Sequence, residues 1–142
     1  MTARFSSPIG ITTDGTNLYV CDTNNHLIRQ VVIATGVVTT LAGASGTSNT
    51  LDGTGTAANF DDPVGITTDN TYLYVTERSG QTVRRVTIAT GEVITLAGVA
   101  GSNGVSDGTG SAARFNNPRG AAFDGERIYI ADSGNHTVRQ ID

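Results

Sequence analysis

Asp22, Asn25, His26 and Arg29 fall within eight residues, and Asp132, Asn135, His136 and Arg139 repeat the arrangement near the other end of the chain. An acid, an imidazole and a guanidinium this close could hold a metal or move a proton. Zinc needs three or four converging ligands. The chain has only two histidines, one in each of these widely separated blocks. A middle version of the block, with Glu77, Gly80, Gln81 and Arg84, has lost both the Asn and the His. Turn chemistry tolerates that loss and metal ligation does not. The block therefore reads as architecture: an Asn that caps a turn or takes left-handed geometry, with His and Arg bonding to nearby backbone or to the acid at 22, 77 or 132.

Other chemistry-bearing residues are sparser. Asp52 and Asp107 sit in "DGTG", without the dense acid alternation of a calcium loop, and read as turn-forming residues. The Asp61–Asp62 pair stands where the other copies have Ser-Ser and Asn-Asn, and is a candidate cation or rim-binding position. Arg119 replaces Ile9 and Val64 beside an inner-strand glycine and is a candidate for binding near an axis. The Gly-rich stretches do not follow a strand and open a helix, so they are not phosphate loops. No nucleophile-elbow pattern accompanies the serines. No catalytic residue, metal or cofactor is expected.

These residues must be positioned by something that recurs. "FSSPIGITTDGTNLYV", "FDDPVGITTDNTYLYV" and "FNNPRGAAFDGERIYI" begin at Phe5, Phe60 and Phe115, each 55 residues after the last. Roughly half of the aligned positions in the first two copies are identical. Each unit reads as four short strands. The first ends at Asp14-Gly15, Asp69-Asn70 or Asp124-Gly125, which are hairpin dipeptides. The third ends at Ala-Thr-Gly (34–36 and 89–91), where Gly supplies positive φ. Four antiparallel strands per repeat is the pattern of a β-propeller blade. The long period places an insertion at 43–59 and 98–114, expected on one rim, where it leaves the blade sheet undisturbed. The blades are expected at about 5–59, 60–114 and, in part, 115–142. The chain begins inside an inter-repeat loop, so Met1 reads as an added start.

The Pro-x-Gly starts, the Leu-Tyr-Val strand and the D-x-x-N-H-x-I-R block closely resemble the NHL repeat family, and the "DGTG-x-AA-x-F" loop resembles its bacterial members. The resemblance implies a propeller, typically of six blades. The chain then has four, four and three strands, half a ring. Its two ends would each expose an apolar face; a standard interface buries about 800 Å² per partner. The expected fold is all-β, with the half ring completed by a homodimer.

Composition narrows the partners. Net charge is −4, with no basic run, and the sequence pI of 4.9 argues against nucleic acid or an anionic membrane surface. No apolar run approaches a membrane span. "MTARFSSPIG" has no leader core, so a secreted parent would carry its leader elsewhere. The single cysteine, Cys21, reads as a buried strand residue compatible with either redox compartment. The expected function is a non-catalytic scaffold that assembles with itself and binds an unidentified protein. The alternative is a metal-dependent hydrolase or lyase with its site in the central channel. A third possibility is a fragment whose function is self-assembly alone.

Overall fold

The computed structural model describes residues 3–142; Met1, expected as an added start, lies outside them. Twelve strands form three antiparallel sheets. The first blade runs β1 (Pro8–Thr13), β2 (Asn17–Asp22), β3 (Leu27–Val32) and β4 (Val38–Ala42) in spatial order. The second contains β6 (Pro63–Thr68), β7 (Tyr72–Glu77), β8 (Thr82–Thr87) and β9 (Glu92–Gly98). The third has β10 (Pro118–Phe123), β11 (Ile128–Asp132) and β12 (Thr137–Ile141).

One strand was not expected. β5 (Gly53–Thr54) pairs with the outer edge of β9, Gly53 opposite Val93. The insertion at 43–59 is thus not a free rim loop: it joins the sheet of the blade that follows it. Its backbone is further tied by reciprocal hydrogen bonds between Leu51 and Asn59.

The blades pack face to face through two apolar layers. Tyr19, Cys21, Ile28 and Ala42 of the first blade meet Phe60, Ile66, Leu73 and Val75 around the second. Tyr74 and Val83 of the second meet Phe115, Ile128 and Ile130 at the third. Strand alternation accounts for this: side chains two apart share one face of a sheet, so each blade presents one set forward and another back. Burial pushes the Cys21 thiol pKa up, as befits a packing residue.

The Pro-x-Gly glycine has a packing cause. A Cβ on Gly10 would lie 2.5 Å from the Val64 carbonyl oxygen, and one on Gly65 would lie 1.8 Å from that of Arg119. The inner strand of the next blade occupies that space.

The first hairpin of each blade is held by its aspartate. Asp14 accepts from the N–H groups of Thr16 and Asn17 and from the Tyr19 hydroxyl, at 2.7–2.8 Å. Partial burial opposes ionisation, but these bonds outweigh it and lower the Asp14 carboxyl to about 2. A depressed carboxylate pKa contributes stability above its unfolded value and loses it as pH falls through the folded one. Asp14→Asn is therefore expected to lower the melting temperature at pH 7, with the difference from the parent chain shrinking between about pH 4 and pH 2. Thermal melts across that window check this; a difference that does not change with pH would overturn it.

Candidate functional site

The acid that ends the second strand of each blade organises a brace. Asp22 Oδ1, Glu77 Oε1 and Asp132 Oδ1 each accept a backbone N–H at 2.7 Å, from Ser6, Asp61 and Asn116 respectively. The same carboxylates accept from Arg29 (3.2 Å), Arg84 (3.1 Å) and Arg139 (3.2 Å). Asn25 and Asn135 donate to Asp22 and Asp132 at 2.9 and 2.8 Å. In the middle blade, where no Asn is present, Thr50 and Thr82 donate to Glu77 instead. Each guanidinium also lies over the phenylalanine that opens its blade, 5.5, 5.4 and 5.2 Å from the rings of Phe5, Phe60 and Phe115. Every acceptor of the buried acid is used in holding chain to chain.

The polar groups of the block bond to one another and to neighbouring backbone, and their geometry changes two points of the sequence reading. The left-handed residue is the histidine, not the asparagine: His26 and His136 have φ of 59° and 57°, and Gln81, at the matching position, has 60°. Asn25 and Asn135 hold the acid instead. Second, Asp52 and Asp107 are ion-pair partners rather than turn formers. Asp52 takes a hydrogen bond from Arg84 (2.8 Å) and Asp107 from Arg139 (2.6 Å). Strand geometry aims both arginines outward across the sheet, toward the loop that precedes the blade.

The left-handed residue of this turn also links one blade to the next. His26 Nδ1 accepts from the backbone N–H of Asp62 (3.3 Å), and Gln81 Oε1 accepts from that of Asn117 (2.8 Å). Asp62 and Asn117, like Ser7, have positive φ. The sequence signal for this clasp is only a polar residue at one repeat position and Ser, Asp or Asn 36 residues on, which sequence reasoning missed.

Asp61 and Asp62 are separately occupied. Asp61 accepts from the Ser48 hydroxyl at 2.7 Å, while Asp62 pairs with Arg78 at 2.6 Å and accepts from Ser79. Arg119 borders a groove of about 310 Å³ across the three inner strands, whose walls include Ile9, Ile11, Ile66, Arg78 and Ala121. Val64, Gly10, Gly65 and Gly120 complete its lining. Among the described residues, no three of His, Cys, Asp and Glu converge as metal ligands, and no helix is long and apolar enough to cross a membrane.

The NHL repeat model matches residues 5–31 and 115–141. Human NHL repeat-containing protein 2 is 29% identical over 99% of this chain and 21% of its own length. The Arabidopsis thaliana protein SUPPRESSOR OF QUENCHING 1, chloroplastic, is 30% identical over 99% of this chain and 14% of its own. The chain therefore spans only a small part of these relatives. A solved structure described as an auxiliary nutrient binding protein from Bacteroides ovatus superposes with a TM-score of 0.82 at 28% identity, covering 100% of this chain and 38% of that one.

Proposed function

We propose, on the premise that this chain is built of NHL repeats forming β-propeller blades, that it is a non-catalytic protein-interaction scaffold whose arc closes on a second copy of itself. The observation that carries the reading is the chemistry of the two terminal faces. The open face of the first blade carries Phe5, Ile11, Leu18, Val20 and Val31. These are the counterparts of Phe60, Ile66, Leu73, Val75 and Val86, which the second blade buries against the first. Ile11 is 60% exposed and Ile66 6%. The open face of the third blade carries Val138, 74% exposed, whose counterparts Ile28 and Val83 are both at 0%. The two faces are thus the two halves of a contact that the chain makes twice within itself. A head-to-tail contact made twice about a two-fold axis buries all four.

The clasp supports the same reading. His136 stands where His26 and Gln81 stand, and Ser7 where Asp62 and Asn117 stand. In the closed ring, His136 of one copy accepts from the Ser7 N–H of the other. Three blades from each copy make the six that the resemblance implies.

Binding rather than turnover is supported by the residues at the axis. A metal-dependent hydrolase or lyase needs acids, Asn or His on several inner strands. The groove there offers Ile, Val, Gly, Ala and two arginines. The likeness to the Bacteroides ovatus auxiliary nutrient binding protein leans the same way.

Light scattering on the purified chain tests assembly. The expected mass is twice 14.7 kDa at micromolar concentration. A stable monomer overturns ring closure, and a larger closed oligomer overturns the count of six.

A further inference from the structure

Two departures from the repeat fall in one place. Arg119 stands where the other blades have Ile9 and Val64, and Arg78 where they have Thr23 and Ser133. The two come from different blades, Arg78 just after β7 and Arg119 within β10. Both border the groove of about 310 Å³ across the inner strands. Among the described residues no Asp or Glu borders it, although the chain carries a net charge of −4. Arg78 is anchored through one nitrogen: its Nε donates to Asp62 at 2.6 Å, which leaves its terminal N–H fork open. Arg119 takes part in none of the ion pairs among the described residues, whereas Arg29, Arg84 and Arg139 each meet a buried acid. The inner strands β1, β6 and β10 are each paired on one side only, and blades pack on one another through their sheet faces. A further blade at either end of the arc would therefore leave the groove open toward the axis.

We propose that Arg78 and Arg119 make this groove a binding site for a small aliphatic monocarboxylate. A planar guanidinium presents paired N–H donors that match the two oxygens of a carboxylate. Two guanidinium charges against the single carboxylate of Asp62 leave one positive charge, which suits a monoanion better than a phosphate dianion. That local excess, set in an otherwise acidic chain, concentrates anions at the groove. Ile9, Val64 and Ile66 give the hydrocarbon part of the ligand an apolar wall. The volume lies at the small end of the roughly 300–1,000 Å³ found for ligand sites, so the occupant is a small molecule. The blade itself needs a cation at neither position, since the first blade is built with Ile9 and Thr23 there. The site goes beyond the scaffold reading. Its lining comes from one copy of the chain, so it does not depend on ring closure.

The test titrates hexanoate into the isotope-labelled full chain and follows the amide signals of Gly65 and Gly120 and the Arg119 Nε–H by NMR. Saturable shifts confined to the groove are expected. Arg119→Ile installs the residue of the first blade, so it should keep the fold and weaken binding at least about tenfold. Arg119→Lys, which keeps the charge but not the fork, should weaken it less. Hexanol lacks the charge and inorganic phosphate lacks the tail. Each should bind at least about tenfold more weakly than hexanoate at matched ionic strength. Shifts that do not saturate, or binding unchanged in Arg119→Ile, overturn the site. So does hexanol or phosphate binding as tightly as hexanoate. Tighter binding of N-acetylated Ala-Ala-Ile with a free carboxylate would also overturn it, because the groove would then hold the end of a polypeptide. Light scattering decides the scaffold reading separately: no hexanoate binding with the dimer mass intact overturns this site alone.

Discussion

Gly120→Val is expected to leave the single chain folded and to abolish the ring closure proposed above. Gly120 is the third copy of the Pro-x-Gly glycine. At Gly10 and Gly65 the next blade's inner-strand carbonyl occupies the place of a Cβ, at 2.5 and 1.8 Å. At Gly120 an added Cβ meets only the Ala131 Cβ, at an ordinary 3.6 Å. A β-branched residue suits a strand, so the substitution should cost the isolated chain nothing measurable. In the closed ring, however, the backbone around Ile9 of the second copy would lie where Val64 lies over Gly10. The valine would force the copies apart, as overpacking does within cores. Light scattering should then give 14.7 kDa, with the melting curve extrapolated to low concentration unchanged. Gly65→Val is the control. It should destabilise the chain itself by about 3 kcal/mol, because the clash is internal. A Gly120→Val chain that still runs as a dimer would sink ring closure by the blade-to-blade packing seen within the chain.

The second large effect is expected at Arg84. Its side chain is 0% exposed and is paired with Glu77, also 0% exposed. It bonds the Asn59 carbonyl and Asp52 as well. Arg84→Met keeps the apolar stem over Phe60 but leaves a buried carboxylate without its cation. Removing one partner of such a pair costs about 3–5 kcal/mol. Burial already pushes the Glu77 carboxyl above the usual range, against the pull of Arg84. Without the arginine that upward shift grows. A raised carboxyl pKa contributes stability below the unfolded value and loses it as pH rises. Arg84→Met should therefore be less destabilised at pH 4 than at pH 7, and adding Glu77→Gln should recover part of the loss at pH 7. Denaturant melts at both pH values decide this. Arg29→Met and Arg139→Met should cost less, since those side chains are 13% and 12% exposed. An Arg84→Met chain as stable as its parent would show that the brace contributes packing alone.

Much of this architecture was legible in the residues. The 55-residue recurrence of Phe, Pro-x-Gly and Asp-Gly or Asp-Asn reports strands and turns, because turn geometry and face alternation are local properties of the chain. The reading of Asp22, Asn25, His26 and Arg29 as architecture rested on the same logic, since a motif that recurs with the blade serves the blade. The assignment of roles within that motif was not legible. Whether His26 or Asn25 takes positive φ depends on which side chain the buried acid needs, and that acid is reached through Ser6, ahead of β1, and Arg29, on β3.

What the sequence alone determined is therefore the unit: its strands, its hairpins and the apolar faces that period-2 alternation must create. The tertiary structure decided everything that depends on contacts between units. Asp52 became an ion-pair partner, and Gly53–Thr54 a fifth strand, only because the insertion folds onto the blade after it. Gly10 and Gly65 acquired a reason only when the next blade's carbonyls were placed against them. Local pattern reports which face is apolar. It does not report what covers that face, because covering it is a long-range event whose partners lie tens of residues away in the chain.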